Sequence, residues 1–184
     1  MNLENIYDYS EKISNNEYFC RYVTIKQLVS KDNKMIPHKA IIFFTDFDIK
    51  RLAYSKHILI DGTFIFPKGF IQTIIIMYYD EIIDKMIPGV FMVINNKTEE
   101  GYLDLFNYIK QYIENILKNR FEKYKFETFT TDFEIGLYEA FNNTFNTNNN
   151  IKHIGLYFHF LQNIRKYFQK KGLTKKFMNQ FIIT

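Results

Sequence analysis

Cysteine is almost missing from this chain: Cys20 is the only one in 184 residues. A single thiol closes no internal disulfide and builds no cysteine-based zinc site. That usage fits a reducing compartment. Long apolar runs are also lacking. The longest, Phe64 to Tyr79, is interrupted by Pro67, Lys68 and Gln72 and is too short and too polar to span a bilayer. Met1 to Glu11 is polar and acidic, which excludes a signal peptide at that position. The sequence holds no repeat and no low-complexity linker. One kind of charge stops early. All 20 Asp and Glu residues precede Ala140, whereas Ala140 to Thr184 carries seven Lys or Arg.

What is present predicts one folded domain. Hydrophobic residues make up 47% and aromatics 18%, enough for a real core at this length. Net charge is +4. A basic end beside an acidic body points toward a polyanion, although charge alone reads first as a solvated helix face.

Hydrophobic periodicity sets the expected order of elements. Met1 to Lys39 is mixed, Ile41 to Phe44 fits a short strand and Asp46 to Ser55 a short helix. His57 to Asp61, Phe70 to Tyr79 and Gly89 to Ile94 read as three strands with short connections, which favours antiparallel neighbours. Tyr102, Phe106, Ile109, Ile113 and Ile116 then recur at helical spacing, with Thr98 as cap and Glu99 and Glu100 at the positive end of the dipole. Phe126 to Thr131 is a fourth strand. A second helix is marked by Phe133, Leu137, Ala140 and Phe141. Asn142 to Asn150 is an Asn/Thr-rich loop, and Asn150 to Leu156 fits a fifth strand. Tyr157, Leu161, Ile164 and Phe168 mark a third helix ending near Gly172. The order is a three-stranded meander followed by helix, strand, helix, strand, helix. It predicts an α/β fold with a mixed sheet and helices on its faces, the order of the ribonuclease-H-like fold. The expected division is a lead-in segment over residues 1–40 and a core over residues 41–184.

Two acids end expected strands, Asp61 in Ile60-Asp61-Gly62-Thr63 and Asp132 in Thr131-Asp132-Phe133-Glu134. If those strands are neighbours, both carboxylates meet at one sheet edge. Carboxylates in that arrangement suit divalent cations, which in phosphodiester cleavage activate the attacking oxygen and stabilise the leaving one. Taken singly, each acid fits a local role first. Asp61-Gly62 is a hairpin-turn signal, and Thr131 to Glu134 matches a capping box.

Several pieces in order carry a family likeness. They are Asp61-Gly62-Thr63-Phe64 with Pro67 and Gln72, then Pro88, Lys97 and Tyr102, then Thr131-Asp132-Phe133-Glu134, then Gly155-Leu156-Tyr157-Phe158-His159 with Gln162 and a basic helix. From about His57 to Leu173 the chain resembles the MULE transposase domain, the catalytic region of Mutator-like elements. The resemblance implies an Asp-Asp-Glu site in a ribonuclease-H-like core that cuts and joins DNA with Mg²⁺ or Mn²⁺, and a nuclear location. It makes Asp61 and Asp132 the first two catalytic and metal-binding acids. The third, a glutamate on a later helix, has no counterpart, because no acid follows Glu139. The core is therefore expected to be incomplete at its C-terminal end, and the alternative is a degenerate or domesticated nucleic-acid-binding module without catalysis. Leu156 stands where family members often have a cysteine, which leaves His159 alone. Along the third helix His159 shares a face with Asn163, Lys166 and Lys170. With Arg165 and Lys171 these form the expected DNA-binding strip. DNA is the expected partner, with no membrane and no small-molecule substrate.

Overall fold

The structure is a computed structural model that describes residues 12–13, 17–63, 67–117, 124–132, 134–148 and 150–172. Phe64, Phe133 and Leu173, which belong to the expected elements and motifs, lie outside the described residues, as does Asn149. The strands are β1 (Lys12–Ile13), β2 (Glu17–Tyr18), β3 (Cys20–Val29), β4 (Met35–Phe43), β5 (His57–Thr63), β6 (Gln72–Asp80), β7 (Lys85–Ile94), β8 (Thr128–Thr131) and β9 (Lys152–Gly155). The helices are α1 (Asp46–Tyr54), α2 (Glu99–Ile116), α3 (Ile135–Phe145) and α4 (Tyr157–Lys170). β1 and β2 form a separate antiparallel pair. The other seven strands make one mixed sheet in the order β3-β4-β7-β6-β5-β8-β9. Its first five members pair antiparallel, and β5, β8 and β9 run parallel.

The meander β5-β6-β7 and the alternation that follows it match the expected order. Two long strands precede them: β3 lies in the stretch with no clear periodicity, whereas the end of β4 matches the short strand expected over Ile41 to Phe44 and α1 the short helix expected after it. β3 is an edge strand whose outer half is exposed, with Ile25 58% and Val29 57% accessible. Apolar and polar residues therefore fail to alternate along it. In β4 a fully buried histidine, His38, interrupts the apolar run. A division between residues 1–40 and 41–184 cuts through β4, because this strand and β3 belong to the same sheet. Pro37 is tolerated because β4 pairs with β7 only from Ala40 to Phe43.

Alternation along the strands separates two faces. Ala40, Ile42, Ile58, Ile60, Ile74, Ile76, Met92 and Ile94 point to one face. There they meet Ile49 and Leu52 of α1, Tyr102, Leu105, Phe106, Ile109 and Ile113 of α2, and Leu137, Ala140 and Phe141 of α3. Phe129 of β8 stacks on Phe141 with ring centroids 4.2 Å apart, and Phe106 meets Phe141 edge-on at 5.8 Å. The other face carries a smaller cluster of Cys20, Ile41, Phe70 and Val93.

α2 begins as expected, with the Thr98 side chain accepting from the Gly101 amide at 3.2 Å. The Asn/Thr-rich loop is shorter than expected, because α3 runs on to Phe145 and buries Thr144 and Phe145. Asn146 then closes the loop. Its amide nitrogen donates to the Ile151 carbonyl at 2.9 Å, and its carbonyl oxygen accepts from the Ile151 amide at 2.8 Å. α4 ends at Lys170, and Gly172 follows at φ 71°, a conformation that favours glycine.

His38 is buried because its polar atoms are matched. Asn96 accepts from the Thr98 hydroxyl at 3.1 Å, which turns its amide nitrogen toward His38 Nδ1, also at 3.1 Å. His38 Nε2 then donates to Asp104 of α2 at 3.2 Å. The Tyr22 hydroxyl at 3.0 Å and the Lys26 ammonium at 2.5 Å reach the same carboxylate from β3. Burial works to raise the Asp104 carboxyl, but hydrogen bonds from His38, Lys26 and Tyr22 hold it below its ordinary value of 3.8. A depressed carboxyl adds stability above its unfolded value, and that stability is lost as pH falls through the folded one. Urea unfolding of the wild type is therefore expected to weaken steeply as pH drops below about 4. Asp104→Asn is expected to start less stable and to show the flatter acid limb.

Candidate functional site

The strands that carry the two acids are neighbours in the sheet. In β5, Ile58 and Ile60 are buried, and in β8 Phe129 and Thr131 are. The strands pair in parallel from His57 opposite Thr128 to Ile60 opposite Thr131. One step beyond that last pair, toward the carboxyl ends of the two parallel strands, stand Asp61, still within β5, and Asp132, the first residue after β8. In open α/β sheets that is the end at which ligands bind. Alternation turns Asp61 to the face opposite Ile58 and Ile60, away from α1, α2 and α3.

The structure has neither the hairpin turn at Asp61-Gly62 nor the capping box over Thr131 to Glu134. Asp61 and Gly62 are inside β5, paired with Ile75 and Ile74, and not in a turn. The hairpin signal gives way because β6 continues the ladder past it. Glu134 takes the cap position of α3 and makes no side-chain cap bond, so no capping box forms. Instead Asp132 Oδ1 accepts from the Glu134 backbone amide at 3.1 Å, with the Thr131 hydroxyl 3.5 Å away.

The side chain of Glu134 turns elsewhere. Its carboxylate accepts from the Tyr102 hydroxyl, from Gln72 Nε2 at 3.4 Å and from Lys97 Nζ at 3.3 Å. Tyr102 and Gln72 are buried, and the Tyr102 hydroxyl also lies 2.7 Å from Gln72 Oε1. Burial raises the Tyr102 phenol far above its usual range, and the Glu134 and Asp132 carboxylates raise it further. The phenol therefore stays protonated and acts as a donor. Gly62 makes room for this cluster: a Cβ there would sit 2.0 Å from Gln72 Nε2.

The remaining predicted residues fall on α4, which starts one residue after β9, or, for Lys171, at its C-terminal cap. Arg165, Lys166, Lys170 and Lys171 are exposed, and the Lys171 ammonium lies over the Tyr167 ring at 5.9 Å. His159 is in the same helix, but its side chain and that of Asn163 lie outside the described residues. Among the described residues no three His, Cys, Asp or Glu side chains are grouped as a cation would require. Glu139, the last acid in the chain, is 3.5 Å from Lys31. Sequence reasoning does not find the Glu134 cluster as a unit. Its members come from four separate segments, and no periodicity joins them. The one available signal is that all four fall among the pieces of the family likeness.

No helix among the described residues is long and apolar enough to cross a membrane. No family model, curated protein or solved structure matches this chain.

The close approach at Gly62 predicts a specific substitution effect. Gly62→Ala is expected to displace Gln72 and lower unfolding free energy by about 1–3 kcal/mol, as overpacking does. Gly62→Ala with Gln72→Ala should recover part of that loss. Equal stability of wild type and Gly62→Ala in urea would mean that the close approach is absent.

Proposed function

We propose that this chain is the front part of a Mutator-like transposase catalytic domain with a ribonuclease-H-like core, acting on DNA with Mg²⁺ or Mn²⁺. The observation that carries this reading is the parallel register of β5 and β8, whose last pair, Ile60 opposite Thr131, comes one residue before Asp61 and Asp132. The order of a meander followed by alternating helix and strand supports it. Oxygen donors alone suit Mg²⁺ and Mn²⁺, and Asp61 and Asp132 would hold the cation. When bound, it would supply charge stabilisation for phosphodiester cleavage. The chain's own residues do the rest. Asp61 is fixed within a strand paired on both sides, and Asp132 is fixed by the Glu134 amide. Exposed Arg165, Lys166, Lys170 and Lys171 would bind phosphates of the backbone without reading bases. A nuclear location follows only from that substrate.

A second reading, a transposase-derived module that binds DNA without cutting it, has its own support. The acids nearest the site in sequence are engaged elsewhere, Glu134 with Tyr102, Gln72 and Lys97, and Glu139 with Lys31. Neither is placed to serve as the third acid of the family's scheme.

Two measurements test these readings. In thermal unfolding, Mn²⁺ is expected to raise the wild-type midpoint by roughly 2–4 °C for each kcal/mol of binding. Asp61→Asn and Asp132→Asn should each abolish the rise, and equal rises in all three proteins would dismiss the cation site. In DNA binding, affinity should fall steeply with salt and depend little on base sequence. Changing Arg165, Lys166, Lys170 and Lys171 together to Gln should reduce the logarithmic salt slope by about 0.9 for each phosphate no longer neutralised. An unchanged slope would make the strip a solvated face.

A further inference from the structure

We infer that Glu134 is the positioning residue for Asp132: its carboxylate, clamped by Tyr102, Gln72 and Lys97, holds the Asp132-bearing connection against the sheet edge next to Asp61. The inference rests on the proposal that Asp132 is a cation ligand, and it adds what keeps that ligand in place.

Asp132 stands beyond the last paired residue of β8, so the strand ladder itself does not orient it. The described contacts of its carboxylate are short and local, to the Glu134 amide and the Thr131 hydroxyl. The direction of that amide depends on where the rest of Glu134 is anchored. A carboxylate at the cap position of a helix ordinarily accepts from the free amides of the first turn. Glu134 makes no such bond to α3. It gives up that stabilisation and reaches across to three donors on other segments. Tyr102 comes from α2, Gln72 from the start of β6, and Lys97 from the connection before α2. Two of the three are buried, and a buried polar group without its partner is costly, so the arrangement has little freedom to relax.

The same clamp touches the other strand end. Gln72 occupies the space that a side chain at position 62 would fill, next to Asp61. One hydrogen-bonded unit therefore fixes the spacing of both strand ends, with Gln72 against β5 and Glu134 against the connection after β8. A group that served only the stability of α3 would have no reason to contact Gln72. Separation between ligands is what determines whether two carboxylates can share a cation, and small misplacements have large effects at such sites.

The test compares wild type, Tyr102→Phe and Glu134→Ala by two measurements. The first is hydrogen exchange of the Glu134 amide by NMR without metal. It is expected to speed up roughly five-fold in Tyr102→Phe, the equivalent of one broken hydrogen bond, and more in Glu134→Ala. Amides of β3 and β4 should be unchanged in both. The second is the Mn²⁺ concentration that produces half of the thermal shift. It should rise several-fold in both variants, beyond any change in the metal-free midpoint. Unchanged exchange at Glu134 in both variants would overturn the inference. So would a lower metal-free midpoint with the same Mn²⁺ requirement, which would mark the cluster as structural support only. If wild type shows no Mn²⁺ shift that Asp132→Asn removes, the cation reading fails by itself, and the exchange data still decide whether the clamp holds Asp132.

Discussion

The parallel pairing of β5 with β8 is the constraint from which the rest of the arrangement follows. Parallel neighbours cannot be joined by a tight turn, so the chain has to travel out and back between them. Here it does so through β6, β7 and α2. α2 returns across the sheet and buries Tyr102, Leu105, Phe106, Ile109 and Ile113 against Ile74, Ile76 and Met92. That packing in turn gives α3 a surface to lie on, where Phe141 and Phe145 meet Phe106. Without the register of Ile60 opposite Thr131, the connection that carries Asp132 and Glu134 would not arrive at this end of β5.

Polar contacts then decide how the outer parts attach. Arg21 of β3 pairs with Asp46 at the start of α1 at 3.0 Å and donates to the Tyr112 hydroxyl of α2 at 3.1 Å. Tyr112 donates to the same Asp46 at 2.7 Å. Lys31, in the turn between β3 and β4, reaches Glu99 at 2.5 Å and so ties that hairpin to the start of α2. Such partly exposed pairs contribute little each. Their shared target, α2, is what makes the attachment of the edge hairpin specific.

Much of the centre was legible in the sequence. α2 announced itself by apolar spacing and by Thr98, and β5, β6 and β7 by short connections between apolar runs. β7 begins earlier than expected because one extra residue, Gly89, is accommodated between the pairs Ile76–Val90 and Met77–Pro88, and the ladder resumes down to Lys85. β3 was not legible, and β4 was legible only at its end, where Ile41 to Phe44 fits a short strand. One is an edge with water on its outer side, and the other hides a histidine whose partners, Asp104 and Asn96, are more than 50 positions away. Asp61 and Asp132 could be selected because each ends an expected strand. The role of Glu134 could not, since its neighbours Thr131 and Asp132 imitate a helix cap and its true partners are fixed only by tertiary packing.

Gln72 also has a meaning for the fidelity of folding. It is a buried amide at the first position of β6, aligned on the same face as Ile74 and Ile76. A slip of β6 by one residue against β5 would carry every side chain of the strand to the opposite face. Gln72 would then leave the Tyr102 hydroxyl, and the cleft above Gly62 would stand empty. An apolar residue at that position would tolerate such a slip far better. The amide thus acts as a register mark, penalising misaligned sheets through a polar group stranded in the core rather than rewarding the aligned one through extra burial.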